Sequence, residues 1–288
     1  MDRLTLTSFT MHMNDHQHPT TLVLGATGKT GRRVAERLAA RGLGVRAGSR
    51  TGTPPFDWDD RDTWGPALEG ADAVYVSFFP DLAVPGAAET VGALAGQARA
   101  AGARRLVLLS GRGEEEAEHS EQAVQAAFPD ATLVRCSWFA QNFSESFLLD
   151  PVQAGEVALP VHDVGEPFVD VDDVADVAVA ALTEDGHAGQ LYELTGPRLI
   201  TFAAAVEEIG AAAGRELRFE PIPLEAFTAA MADAGEPAEV VDLTAYLFRE
   251  VLDGRNESLT DGVQRALGRP PRDFADYARA VAATGVWS

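Results

Sequence analysis

The sequence predicts an α/β protein in which a doubly wound parallel sheet is followed by a smaller, mostly helical C-terminal lobe. The first observation is a series of short apolar runs that alternate with stretches of helical spacing up to about residue 150. The second is a glycine-rich turn that directly follows the first of these runs. The third is a change beyond residue 150, where prolines and helical patterns dominate. Strands that alternate with helices of this length form βαβ units and hence a parallel sheet.

Five apolar runs in the first half are short enough to be buried strands of such a sheet. Val34 and Leu38 recur at helical spacing before Gly42, which suits the end of a helix. The alanine-rich residues 87–101 and the segment 120–128 are also compatible with helices. The predicted strands span residues 21–24, 45–49, 73–77, 106–110 and 132–135.

The second half begins with a loop-rich stretch that contains three prolines, Pro151, Pro160 and Pro167. Val169 and Val171 then alternate as a short strand, and Asp172 has the position of an N-cap for the helix that follows. Further helices are predicted over residues 201–213, 224–234, 237–252, 260–267 and 273–283.

These patterns divide the chain into a tail and two larger parts. We expect a disordered tail over residues 1–19, a nucleotide-binding sheet over 20–150 and a substrate-side lobe over 151–288. Within the last part, residues 165–185 are expected to return to the sheet. A cleft between the two larger parts is the natural place for a ligand.

Composition excludes several classes of function. The 288 residues are 46% hydrophobic and 23% charged, as in a soluble globule. The 44 acidic and 23 basic residues give a formal net charge of −21, so a surface that binds nucleic acid or anionic lipid is not expected. Neutral or cationic small molecules are admitted more easily. No apolar run approaches the roughly 20 residues of a membrane span.

Cysteine usage and the first residues bear on the compartment. The single cysteine, Cys136, excludes an intramolecular disulfide and fits a reducing environment. Residues 1–19 carry charges and the three histidines His12, His16 and His18, but no apolar core of a secretory signal. We therefore expect a cytoplasmic protein, and metal binding by these histidines is an open alternative.

A glycine loop lies where the first strand meets the first helix. Residues 25–31 read Gly-Ala-Thr-Gly-Lys-Thr-Gly, in a strand–turn–helix context that suits the pyrophosphate of a dinucleotide. This predicts a Rossmann-type fold. A Walker A loop is excluded because Val23 occupies the position of its first glycine. A tight turn that binds nothing is the structural alternative.

The end of the second strand favours NADP(H) over NAD(H). Ser49 and Arg50 stand there, and no carboxylate follows until Asp57. An arginine can bind a ribose 2′-phosphate bidentately, whereas an NAD site places an acidic residue at this point. A solvated surface arginine is the alternative. Lys29 is the only lysine of the chain and could neutralise cofactor phosphate.

Several segments together resemble a known family. With the glycine loop, they are similar to the NmrA-like branch of the atypical short-chain dehydrogenases/reductases, over nearly all of residues 20–288. Within that branch the chain looks most like the festuclavine and agroclavine dehydrogenase type, which reduces an iminium with NADPH. The segments are Ser49-Arg50, Phe56-Asp57-Trp58, 102–110, 138–143, 167–175, 192–197 and 268–272.

The resemblance implies roles for individual positions. The residues beside the pyrophosphate would be Gly25, Thr27, Gly28, Lys29, Thr30 and Gly31. The 2′-phosphate would be bound by Ser49 and Arg50, and the adenine would lie beside Asp57 and Trp58. The riboses and nicotinamide would be lined by Ser77, Phe78, Phe79, Ser110, Gly111, Cys136, Trp138 and Phe139. Family members often have proline at the position of Cys136, so the nicotinamide wall differs here.

The catalytic device of typical short-chain dehydrogenases, Tyr-x-x-x-Lys, is absent because no tyrosine is followed four residues later by the single lysine. Ser110 has the place of a family active-site serine, although a strand-end hydroxyl that bonds to backbone is the alternative. His119 could donate a proton from a loop over residues 111–120. The alternative is a solvated loop histidine beside Glu114, Glu115, Glu116 and Glu118, and the acidic run 114–118 itself is expected to be a solvated loop.

Two further clusters admit two interpretations each. Trp138, Phe139 and Phe143 could form an aromatic wall that binds a cation, or could pack in the core. The acidic group Asp170, Asp172, Asp173 and Asp176 fits a helix start better than a metal site, so no metal is expected.

Missing acid–base machinery narrows the chemistry. Hydride transfer to a charged iminium leaves no oxyanion to protonate. We therefore expect an NADPH-dependent oxidoreductase that reduces an iminium, imine or similarly activated bond of a small organic substrate. The alternatives are an NADPH quinone reductase and an NAD(P)-binding redox sensor that regulates a protein partner without turnover.

Overall fold

The computed structural model describes residues 19–288, so the expected tail and its three histidines lie almost entirely outside the described residues. Six parallel strands form the central sheet in the order β2-β1-β3-β4-β5-β7, and β6 pairs with β8 in a small second sheet. The strands are β1 Thr20–Leu24, β2 Gly44–Gly48, β3 Ala73–Val76, β4 Arg105–Gly111, β5 Thr132–Cys136, β6 Glu156–Leu159, β7 Leu191–Leu194 and β8 Arg218–Pro221.

Twelve α-helices cover these sheets within residues 19–288. A 3-10 turn, Arg61–Thr63, precedes α2, and a π-helical turn, Leu247–Val251, continues α10. The helices are α1 Lys29–Ala40, α2 Trp64–Leu68, α3 Ala87–Ala100, α4 Glu115–Ala127, α5 Asn142–Glu145, α6 Leu149–Ala154, α7 Val171–Thr183, α8 Phe202–Ala213, α9 Leu224–Asp233, α10 Ala238–Tyr246, α11 Gly262–Leu267 and α12 Phe274–Ala282.

The sheet is doubly wound because both of its faces are covered by helices. On one face Leu22 and Val74 pack with side chains of α2, α3 and α4. On the other face Val23 and Tyr75 pack with side chains of α1 and α7. This two-sided burial explains the continuous apolar runs of the strands, and it confirms the predicted fold class.

The second lobe has an aromatic core of its own. Phe143, Phe168, Phe202 and Phe274 lie in this core with Trp287, and helices α8 and α12 pack against each other around it. Residues 171–194 leave the lobe: α7 packs on α1, and β7 completes the sheet beside β5. Helix α11 then packs on α7 and β7. No helix of residues 19–288 is both long and apolar enough to cross a bilayer.

Several local predictions were wrong. Helix α4 begins at Glu115 rather than at 120, so the acidic run 114–118 is not a loop. The N-cap of α7 is Asp170 rather than Asp172, because the Asp170 carboxylate accepts the amide hydrogen of Asp172 at 2.7 Å. Val171 starts that helix, and Val169 forms only a single bridge to Phe139. Strands β6, β7 and β8 were not predicted.

Candidate dinucleotide and substrate site

The carboxyl ends of β1, β3, β4 and β5 define the candidate site. Strand β1 has β2 on one side and β3 on the other, so the chain connections reverse direction there. Ligands of open α/β sheets bind at such a switch point, outside the carboxyl ends of the strands. The predicted cofactor-binding residues lie at or beyond the carboxyl ends of these four strands and of β2.

The glycine loop has the backbone geometry that close approach of a phosphate requires. Gly25 has φ +73°, a conformation that favours glycine, and its carbonyl accepts the amide hydrogen of Gly28 at 2.9 Å. Gly28 is the N-cap of α1 but offers no side chain, so the first amides of the helix keep their donors for a ligand. A Cβ atom at Gly31 would overlap the carbonyl group of Gly25.

Lys29 and Arg50 are the predicted cationic groups. Burial lowers the pKa of Lys29, while the nearby Glu145 carboxylate acts in the opposite direction. Glu145 binds Arg32 at 2.9 Å and Arg33 as well. Arg50 lies just beyond β2 with an exposed side chain, and the preceding Ser49 is held through its carbonyl oxygen, which accepts the amide of Phe56 at 2.9 Å.

The structure brings together predicted residues from separate strand ends. Trp58 packs edge-on against Phe78 with ring centroids 4.8 Å apart, which joins the segment after β2 to the segment after β3. The Asp57 carbonyl accepts the indole hydrogen of Trp64 at 2.7 Å, which holds this segment in place. Ser77 lies against Gly25, since a Cβ atom there would be 3.1 Å from Ser77 Cβ. Phe79 is 78% exposed.

The ends of β4 and β5 bring the remaining predicted residues together. Ser110 is buried, and the next residue, Gly111, is in register with Cys136 on β5. Burial raises the pKa of the Cys136 thiol, and its Sγ donates to the Val134 carbonyl at 3.7 Å, as in a packed rather than a nucleophilic cysteine.

The aromatic residues after β5 separate into two groups. Trp138 is half-buried and packs on Phe248 of the second lobe, 5.6 Å between centroids. Phe139 is half-buried against the sheet core, whereas Phe143 is fully buried in the aromatic core of the lobe. Phe143 therefore belongs to the packing alternative, and Trp138 remains at the edge of the candidate pocket.

Unpartnered polar atoms concentrate at this end of the sheet. Among residues 19–288, six buried side-chain oxygen or nitrogen atoms have no hydrogen-bond partner. Five of them lie at the end of β4, in the segments after β4 and β5, or in the loop whose Glu166 contacts Trp138. Buried polar groups without partners are rare, and a ligand site is one established reason for them. The five atoms are Ser110 Oγ, Glu114 Oε2, Ser137 Oγ, Trp138 Nε1 and Glu166 Oε2.

The acidic run differs from its prediction as a solvated loop. Glu114 is only 6% exposed, whereas Glu115 and Glu116 are exposed on the first turn of α4. His119 is also exposed, on the same helix rather than in a loop, because α4 starts before it. An exposed helical histidine is poorly placed to serve a buried reaction centre.

Two residues of this region escaped the sequence analysis. Glu166 is 1% exposed and accepts the Trp138 amide hydrogen at 3.0 Å; burial raises its pKa to about 7, opposed by that amide and by Arg112. Arg112 is buried and donates to the carbonyl oxygens of Asn256 and Ser258 at 2.9 and 3.0 Å. The position of Arg112 between Gly111 and Gly113 was the one feature of the sequence that could have indicated its role. No feature of the sequence indicated a role for Glu166.

The acidic group near α7 is used in ion pairs. Asp176 binds Arg37 at 2.7 Å, and the fully buried Asp173 binds Arg269 at 2.7 Å and Arg272 as well. Within residues 19–288 no three His, Cys, Asp or Glu side chains form a group that could hold a metal. A cavity of about 510 Å³ lies at the amino ends of the strands, near Asp72 and Glu184, and no predicted site residue lines it.

The chain is similar in sequence to several known oxidoreductases. No family model matches the chain. The chain is 34% identical over 277 residues to (4-alkanoyl-5-oxo-2,5-dihydrofuran-3-yl)methyl phosphate reductase of Streptomyces griseus, covering 89% of this chain and 95% of that protein. It is 32% identical to the NAD(P)H azoreductase of Xenophilus azovorans, covering 86% of each. It is 29% identical to agroclavine dehydrogenase of Claviceps fusiformis, covering 90% and 96%.

Solved structures agree on the fold. Citrobacter triphenylmethane reductase complexed with NADP(H) superposes with a TM-score of 0.70 at 19% identity, over 90% of this chain and 99% of that one. Nmra, a negative transcriptional regulator, superposes with a TM-score of 0.68 at 18% identity, over 93% and 97%. With reductases above 30% identical along nearly its whole length, the chain belongs to the NmrA-like family of atypical short-chain dehydrogenases/reductases and is an oxidoreductase.

Proposed function

We propose that this protein is an NADPH-dependent reductase that transfers hydride to an iminium, imine or similarly activated bond of a small organic substrate. The observation that carries the proposal is the set of five unpartnered buried polar atoms at or after the ends of β4 and β5 and in the loop that contacts Trp138. These atoms could donate to and accept from the carboxamide group of a nicotinamide ring and a small polar substrate.

The residues at the switch point fit the cofactor. The N-cap Gly28 leaves the first amides of α1 open to a pyrophosphate, with Thr27, Lys29 and Thr30 around it, and Gly31 lets α1 pack on the carbonyl group of Gly25. Ser49 and Arg50 would bind the 2′-phosphate, and the Trp58–Phe78 pair offers an aromatic surface beside the adenine, with Asp57 at its edge. The related structure complexed with NADP(H) supports this choice of cofactor.

The nicotinamide end would be lined by residues of three strands. Ser77, Phe78 and Phe79 follow β3, Ser110 and Gly111 end β4, and Cys136, Trp138 and Phe139 end or follow β5. Bound NADPH supplies a hydride. The chain contributes orientation and the exclusion of water, because the Ser110 and Cys136 side chains are buried. A hydrogen bond from the buried Ser110 hydroxyl would fix the orientation of the nicotinamide carboxamide group.

The substrate class follows from charge and from the relatives. A net charge of −21 favours a cationic or neutral acceptor over an anionic one. One relative is named as an NAD(P)H azoreductase, and an azo group is a double bond between two nitrogens; another is named as an agroclavine dehydrogenase. Trp138, half-buried at the lobe boundary, is positioned to meet such an acceptor.

The test is anaerobic oxidation of NADPH and NADH against a panel of cyclic iminium ions, imines and quinones. In Arg50→Asp we expect kcat/KM for NADPH to fall roughly 10- to 100-fold, with NADH almost unchanged, because the lost contact is specific to the 2′-phosphate. Arg218→Asp, on the exposed edge strand β8, changes the net charge equally and is the control. NADPH binding without turnover on any acceptor would contradict the proposal and favour a redox sensor.

A further inference from the structure

The side chain of Glu114 adopts an unexpected position between β4 and α4. Glu114 is the N-cap residue of α4, with φ −108° and ψ 109°, but its carboxyl group does not cap the helix. Instead it turns back onto Gly111: a Cβ atom at Gly111 would overlap Glu114 Oε1 and lie 2.6 Å from Cδ. Position 111 must therefore be glycine for this carboxyl group to reach the end of β4.

A second carboxyl group faces the first. Asp81, in the segment after β3, is close enough to Glu114 for its charge to raise the pKa of Glu114. Two neighbouring ionised carboxylates repel each other, which favours protonation of the more buried one. Burial raises the pKa of Glu114 to about 9, and the charges of Asp81, Glu116 and Glu121 act in the same direction. At neutral pH Glu114 is therefore a carboxylic acid, with a donor to give.

The two acids connect solvent to the candidate reaction centre. Asp81 is half-exposed and is held by the amide of Ala83, which donates to its Oδ1 at 2.8 Å. Glu114 is buried beside Gly111, one residue beyond the unpartnered Ser110 hydroxyl. Under the proposed function, Ser110 and Gly111 border the nicotinamide, so Glu114 stands where a proton is needed.

We propose that Glu114 is the proton donor of the reduction and that Asp81 relays its replacement from solvent. This inference rests on the proposed function. An imine gains the hydride at carbon, an azo group at one nitrogen and a quinone at one of its two oxygens. The nitrogen or second oxygen on which negative charge develops then takes the proton as the Glu114 O–H bond breaks. The acceptor is thereby reduced by two electrons and NADPH is oxidised to NADP⁺. Water then returns a proton to Glu114 through Asp81.

The donor specifies which acceptors depend on it. Quinones, azo compounds and neutral imines develop negative charge on oxygen or nitrogen when hydride arrives, so they need a proton. An N-alkylated iminium is neutralised by hydride alone and needs none. The chain would thus reduce the first group efficiently despite lacking Tyr-x-x-x-Lys.

The activity test compares Glu114→Gln with wild type on two acceptors, a simple benzoquinone and an N-methyl dihydroisoquinolinium ion. We expect kcat for the quinone to fall on the order of 100-fold, the usual contribution of a general acid, and kcat for the iminium to change less than about threefold. Glu115→Gln, exposed on the same helical turn, is the matched control. Equal losses on both acceptors, or no loss on the quinone, would overturn the proposal.

Wild-type behaviour separates this inference from the proposed function. Turnover of the iminium without turnover of the quinone would retain the reductase and overturn the proton donor. No NADPH oxidation with any acceptor would overturn both.

An infrared measurement on the protein without cofactor provides an independent readout. We expect the carbonyl band of a protonated carboxylic acid at pH 8.5, where Glu166 with its pKa of about 7 is ionised. The band should be present in wild type and Glu115→Gln and absent in Glu114→Gln. It should disappear with a midpoint near pH 9, set by burial and by Asp81, Glu116, Glu121 and the nearby Tyr246. Lack of this band in wild type, or its persistence in Glu114→Gln, would overturn the proposal.

The pH dependence of the free energy of unfolding should also report the protonation of Glu114. The folded-state pKa of about 9 exceeds the ordinary value of 4.5, so the protonated acid favours folding below pH 4.5 and this contribution is lost as pH rises to 9. Glu114→Gln should therefore gain stability relative to wild type steadily over that range. A pH-independent difference would contradict a buried neutral acid.

Discussion

Gly31 lies in the first turn of α1, where its Cα faces the carbonyl group of Gly25. A Cβ atom there would lie 2.7 Å from the Gly25 carbonyl carbon and 3.1 Å from Ala26 Cα. Both neighbours are backbone, so no side-chain rotation can relieve the overlap. The third glycine of the loop is therefore needed for close packing of helix and strand end, and the second, Gly28, for a bare helix terminus.

Gly31→Ala is accordingly expected to lower the free energy of unfolding by about 1–3 kcal/mol, as overpacking does, and to weaken NADPH binding roughly tenfold or more. Gly96→Ala is the control: this glycine is inside α3, and a Cβ atom there meets only Ala127 Cβ at 3.9 Å. The control should gain about 0.5–1 kcal/mol from helix propensity. Urea denaturation and a fluorescence titration with NADPH measure both. Unchanged binding in Gly31→Ala would mean that the loop does not hold the cofactor.

Helices α1 and α7 are joined by a network of ion pairs along their shared face. Arg33 and Arg37 of α1 both reach Asp172 of α7, at 3.2 and 2.6 Å. The hydrogen bond from Arg37 to Asp176 raises the pKa of Arg37 and lowers that of Asp176, although burial opposes each change. Because α1 carries the glycine loop at its start, this network also fixes the cofactor site on the sheet.

Asp173 is the buried member of this network and the one whose loss should cost most. It is fully buried and accepts the backbone amide of Arg272 at 2.6 Å besides its two guanidinium contacts. Asp173→Asn should lower the free energy of unfolding by about 1–3 kcal/mol, because it removes the buried ionised acceptor of three hydrogen bonds, although both arginines are partly exposed and keep Asp176 as a partner. Asp276→Asn, in the exposed pair with Arg279, should change it by less than about 1 kcal/mol. Thermal and urea unfolding decide; similar losses in both variants would refute the argument.

Elements with a local signal were predictable, whereas elements made by distant contacts were not. Strands β1, β3, β4 and β5 carry apolar residues on both faces, and the glycine loop has a local sequence signature, so the sheet and its glycine turn were predictable from the sequence. Asp170 became the cap because Gln141, 29 residues earlier, donates to its carboxylate at 2.8 Å. Glu114 resembles its exposed neighbours in sequence, and only the fold over Gly111 buries it. Such carboxyl groups acquire their chemistry from tertiary contacts.

At the scale of the whole molecule, the sheet and the second lobe meet through Arg112. Its guanidinium group follows β4 and donates to Asn256 and Ser258 of the lobe, while Asn256 Nδ2 donates back to the Arg112 carbonyl at 3.1 Å. A Cβ atom at Gly113 would lie 2.9 Å from Asn256 Oδ1, so the two segments are in direct contact. Glu114 follows Arg112 by two residues, and Trp138 packs on Phe248 of the lobe, so contacts at this end of the sheet join the candidate site to the lobe.

The junction can be tested by its effect on local opening. Arg112→Met keeps the length and burial of the side chain but leaves the buried Asn256 carbonyl without its donor, which should cost about 1–3 kcal/mol. We expect amide hydrogen exchange in peptides covering 247–260 to accelerate on the order of tenfold or more, with β1 and β3 unchanged, because the loss is confined to one cooperative unit. Arg255→Met is the control, since this arginine is exposed and pairs chiefly with Asp253. Uniform acceleration across the sheet would mean that lobe and sheet open together, and no acceleration would mean that other contacts hold the junction.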